Sequence, residues 1–138
     1  MKISKNQILI LITVLFIVSC RKEKEITVTA HIYGGDAFNP RPLSVFINGE
    51  YKGVLPDYTQ SSLTCGQQGI DTSSLTFLLK SGEHNFVVKN RNGEEVHKSI
   101  CKLRENGISG SCSQGGQEVT KSGDCLLVKL ETDTGSIN

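Results

Sequence analysis

The residues of this 138-residue chain with the most specific chemistry are five cysteines, three histidines and three tyrosines. His31, His84 and His97 fall on three separate predicted strands, with no i, i+4 pair to clamp a metal from one helix. A solvent-facing strand histidine accounts for each more simply, so no metal site is expected. Gly107-Ile108-Ser109-Gly110 lacks the spacing of a nucleophile elbow and lies in a predicted loop. Gly66-Gln67-Gln68-Gly69 lacks the lysine and the following helix of a phosphate-binding loop. Asp36 and Asn39 sit in a loop without the run of acidic ligands that calcium favours, so turn chemistry explains them. No catalytic residue and no cofactor are expected. Tyr33, Tyr51 and Tyr58 are the candidates for a stacking surface towards a sugar or peptide, with no tryptophan to reinforce them.

Cys20 differs from the other cysteines by what precedes it. Lys2 and Lys5 form a basic start, and Ile8 to Val18 is apolar except for Thr13. Ile17-Val18-Ser19-Cys20 then places a small residue directly before a cysteine. The uncharged run from Asn6 to Cys20 is shorter than the ~20 residues a membrane-spanning helix needs. It resembles the cleaved signal of bacterial lipoproteins, with Ile17 in the position usually held by leucine. The resemblance implies a signal peptide over 1–19 and a lipid on Cys20, whose acyl chains partner the membrane. Arg21 in place of an aspartate after that cysteine favours the outer membrane of a Gram-negative envelope.

The remaining Cys65, Cys101, Cys112 and Cys125 are an even set in an exported chain. None forms a Cys-x-x-Cys pair, and two disulfides are the expected outcome. Four cysteines allow three connectivities, and spacing does not choose among them.

From Cys20 onward 119 residues remain, enough for one domain. Loss of Lys2 and Lys5 leaves thirteen basic against fourteen acidic residues, a net charge of −1. That balance gives no electrostatic basis for nucleic-acid binding. Residues 20–25, the lipidated cysteine and Arg21-Lys22-Glu23-Lys24-Glu25, read as a charged, solvated tether. The folded domain is expected over 26–131, with 132–138 a frayed tail.

Within the domain, Ile26, Val28, Ala30 and Ile32 alternate with Thr27, Thr29, His31 and Tyr33, a half-buried strand pattern. Leu43, Val45 and Ile47 lead into Asn48-Gly49, a hairpin signal, and 51–55 return. Residues 56–74 read as a long polar connection. Leu75, Phe77 and Leu79, then 85–89, 96–103 and 125–131, supply further strands, while the glycine-rich 104–124 reads as a loop. No stretch keeps a helical period. About seven short strands separated by turn signals predict an all-β, antiparallel β-sandwich.

Two stretches carry a family resemblance. Val45-Phe46-Ile47-Asn48-Gly49-Glu50-Tyr51-Lys52-Gly53 looks like the first hairpin of PEGA-type and carboxypeptidase-regulatory-like domains. Leu79 to Val88, with Ser81-Gly82-Glu83-His84, resembles a later turn-and-strand segment of the same domains. These are transthyretin- or immunoglobulin-like sandwiches on exported bacterial proteins. Val45 to Leu130 is also similar to small bacterial lipoproteins with one cysteine before the leucine-rich strand and another opening the last strand. If that pair is bonded, the resemblance implies Cys65–Cys125 and leaves Cys101 for Cys112. The chain thus reads as a non-catalytic envelope lipoprotein whose sandwich is an interaction or structural module. The alternative is a small-ligand or glycan binder using the 56–74 and 104–124 loops.

Overall fold

The computed structural model of the protein describes residues 23–36, 38–57, 62–110 and 117–130. The expected signal over 1–19 and Cys20, together with Arg21, Lys22, Tyr58, Cys112 and the 132–138 stretch, lie outside those residues. The described strands are β1 (Thr27–Gly34), β2 (Ser44–Ile47), β3 (Glu50–Val54), β4 (Leu75–Lys80), β5 (Gly82–Lys89), β6 (Glu95–Arg104), β7 (Gly107–Gly110), β8 (Gln117–Ser122) and β9 (Cys125–Leu130). A single helical turn, α1 (Ile70–Ser73), precedes β4.

The strands form two sheets, β4-β1-β9-β8 and β3-β2-β5-β6-β7. The all-β sandwich expected from the alternation is therefore present. Every pairing is antiparallel except β1 with β9, which run parallel with Ile32 opposite Val128. Nine strands replace the expected seven or so because the 104–124 stretch contributes β7 and β8, each to one sheet.

Alternation fixes what lies between the sheets. Val28, Ala30 and Ile32 of β1 and Leu126, Val128 and Leu130 of β9 face Val45, Ile47, Phe86, Val88 and Leu103 of the other sheet. Burying each such side chain contributes roughly 1.5–3 kcal/mol. Gly34 ends β1 with φ +86, and a Cβ there would lie 2.6 Å from the Leu130 carbonyl oxygen. Only glycine allows the last pair of the parallel ladder to close so tightly.

At the β2–β3 hairpin, Asn48 holds a left-handed φ of 52. Its Oδ1 accepts from the Asn85 N–H at 2.8 Å, and its Nδ2 lies 3.1 Å from His84 Nδ1. His84 Nε2 lies 2.7 Å from the Lys80 carbonyl, an acceptor, so that nitrogen carries the proton and Nδ1 accepts from Asn48. His84 and His97 are each buried. The solvent-facing reading of the histidines is thereby corrected, because all three are enclosed and hydrogen-bonded.

The polar connection does more than link sheets. Its described part, from Ser62 through α1, lies over the outer face of the four-stranded sheet. There Leu63 and Ile70 pack on Tyr33 and Leu127, with Cys65 and Cys125 alongside. The Leu63 N–H donates to the Tyr33 hydroxyl at 3.4 Å. A disulfide joins Cys65 to Cys125 across 60 positions of sequence and ties the connection to the start of β9. Cys101 of β6 is also disulfide-bonded.

Candidate functional site

Beside the Cys65–Cys125 bond lies a depression of about 390 Å³. One wall is β1, through Thr29 and His31. A second is the connection, through Gly66, Ile70 and Asp71. The third is the β8–β9 turn, through Ser122 and Asp124. The two stretches singled out from the sequence, 56–74 and 104–124, thus meet here.

His31 is the chemical centre of this place. It is 5% exposed, and burial pushes its pKa below the usual histidine value while the nearby Asp71 carboxylate pulls the other way. Its Nδ1 lies 3.0 Å from Thr76 Oγ1, 3.3 Å from Ser74 Oγ and 3.7 Å from Asp71 Oδ1. The protons of both hydroxyls are already engaged. Ser74 donates to the Ile70 carbonyl at 2.6 Å, and Thr76 donates to Asp71 Oδ1 at 3.2 Å. Nδ1 therefore faces oxygens that offer lone pairs and must itself carry the proton. Nε2 is left with its lone pair, and no hydrogen bond from the described residues reaches it.

Serine, histidine and aspartate in one cluster invite comparison with a hydrolytic triad. In a triad the nucleophile and the carboxylate occupy opposite nitrogens of the ring. Here both address Nδ1, and Ser74 is buried with its proton on a backbone carbonyl. The arrangement holds α1 against β1 and β4. It does not build a nucleophile.

The two described tyrosines, Tyr33 and Tyr51, do not share one surface. Tyr33 is buried under the connection on the four-stranded sheet. Tyr51 is exposed on β3, its ring 5.6 Å from Phe46 on the outer face of the other sheet. Two members of the expected stacking set thus occupy opposite faces of the sandwich, because Tyr33 and Tyr51 belong to different sheets. Among the described residues no group of three His, Cys, Asp or Glu side chains has the geometry to hold a metal.

Sequence reasoning missed His31, Asp71, Ser74 and Thr76 as a cluster. The available signal was Leu63 and Ile70, two aliphatic residues in an otherwise polar stretch, with Cys65 between them. Comparison of the chain with protein-family models, curated proteins and solved structures gives no match.

Proposed function

We propose that the protein is an envelope lipoprotein, anchored by lipid on Cys20 to a Gram-negative outer membrane. Its sandwich, akin to PEGA-type and carboxypeptidase-regulatory-like domains, acts as a non-catalytic interaction module. The observation that carries this reading is the cysteine usage. Cys65 and Cys125 are bonded to each other and Cys101 is bonded as well, as suits an oxidising compartment. With Cys112 as the partner of Cys101, Cys20 is the one cysteine without a disulfide role, and it follows the apolar segment directly. Metabolic labelling with an acyl probe tests the anchor. Wild type takes up label, and Cys20→Ala does not; equal labelling of the two overturns the reading. Non-reducing peptide mapping tests Cys101–Cys112, which a linkage of Cys101 to Cys20 would refute.

A second reading, a small-ligand or glycan binder, is favoured by one feature, the meeting of 56–74 and 104–124 at the His31 depression. With His31 and the Asp71 and Asp124 carboxylates among its lining, the depression suits a ligand that donates hydrogen bonds. Binding of the soluble 21–138 fragment to a glycan array is the test. A uniformly negative array removes the glycan form of this reading.

A further inference from the structure

Resting on the lipid anchor at Cys20, we propose that one particular end of the sandwich lies against the lipid headgroups and the opposite end faces away. The membrane-facing end consists of residues 23–26 and the turns β4–β5, β6–β7 and β8–β9. The 20–25 tether does not behave as a free leash over its described part. Glu23 meets Arg104 Nε at 3.5 Å, Lys24 meets Glu105 at 3.4 Å, and Glu25 meets Lys80 at 3.4 Å. Ile26 is then locked into the fold. Its N–H donates to Ser81 Oγ at 3.1 Å, and its carbonyl accepts from the Ser81 N–H at 2.8 Å. Lys121 spans the same end, donating to the Glu105 and Gly123 carbonyls at 3.0 Å each.

Chain length converts these contacts into an orientation. Between Cys20 and Glu23 the chain reaches at most about 10 Å, and between Cys20 and Ile26 about 20 Å even with all three ion pairs broken. The ten-residue β6 alone spans about 33 Å. The leash is shorter than the body it holds, so the domain cannot turn its far end to the bilayer. That far end carries the 35–43 loop and the β5–β6 turn, joined where the Arg91 N–H donates to the Pro40 carbonyl. Charge does not drive the contact. Lys24, Lys80, Arg104 and Lys121 face Glu23, Glu25, Glu83, Glu105 and Asp124 there, so no excess of positive charge draws this end to anionic lipid. The surface therefore fits zwitterionic headgroups. The Ser122–Asp124 wall of the His31 depression belongs to this end, so that site opens beside the bilayer.

The absence of tryptophan makes a clean optical test available. Lipidated full-length protein is reconstituted in phosphatidylcholine vesicles carrying a headgroup-attached quencher. Single reporters are Asn106→Trp and Glu83→Trp at the near end, with Arg91→Trp and Asn92→Trp at the far end; two per end guard against a variant that does not fold. The near-end reporters should be quenched several-fold more than the far-end ones. Flotation with the vesicles and equal quenching overturns the orientation while leaving the anchor intact. Failure to float overturns the anchor and the orientation with it. A long Gly/Ser insert after Lys22 should erase the difference, and its persistence would overturn the account based on a short leash.

Discussion

At His31, burial and the nearby Asp71 carboxylate oppose each other, with burial the larger effect, and their balance sets how this residue responds to acid. Its folded pKa is lowered, so the native state stays neutral at pH values where the unfolded chain already takes up a proton. The stability tied to this residue is complete above the unfolded value of 6.5 and is lost as pH falls from there through the lowered folded value. Urea midpoints measured from pH 7.5 downward should fall more steeply for wild type than for His31→Asn. Asparagine keeps a donor where Nδ1–H stands and removes the titration. Equal slopes would show that His31 does not titrate differently on folding. The position was only half legible. The period of two placed His31 and Tyr33 together on one face, and that face reads as solvated because nothing local announces that residues 62–74 will fold over it.

Among the elements, the connection and the glycine-rich stretch were the least legible, and for opposite reasons. The connection looks polar, yet Leu63 and Ile70 are enough to seat it once Cys65 fixes its position. The 104–124 stretch reads as a glycine-rich loop, yet its residues 117–122 pair with β9, with Val119 opposite Val128. By contrast Asn48-Gly49 marked its hairpin plainly, since both residues hold positive φ. Replacing Cys65 and Cys125 together by serine should lower stability by about 4 kcal/mol in the chain-entropy treatment of a loop this long. Chemical denaturation of the double variant against wild type measures it, and a change under about 1 kcal/mol would mean the connection holds its place by packing alone. Glycine substitutions separate two effects. Gly49→Ala meets only open space and should cost about 1–2 kcal/mol through its φ. Gly34→Ala adds a collision with Leu130 and should cost clearly more in the same denaturation experiment.

For the whole molecule, the sandwich was legible because alternation repeats along most strands, whereas sheet order was not, because period carries no information about partners. The two sheets have unequal interiors. β1 and β9 are paired on both sides and buried, while β3 and β7 are edge strands. Amide hydrogen exchange should be slowest in β1, β9 and β5 and fastest in β3 and β7; equal protection of edge and centre would contradict this packing. The parallel pairing of β1 with β9 also has a temporal side. The first strand to emerge from any machine that threads the chain from its N-terminus must wait for the last one, residues 125–130, before its inner ladder exists. Closure over so long a sequence distance makes folding slow and late. A chain lacking β9 leaves β1 and β8 without the strand that joins them, so the four-stranded sheet closes only once residues 125–130 are present. Such a topology keeps β1 out of a completed sheet until that strand arrives, whereas the five-stranded sheet needs nothing beyond residue 110.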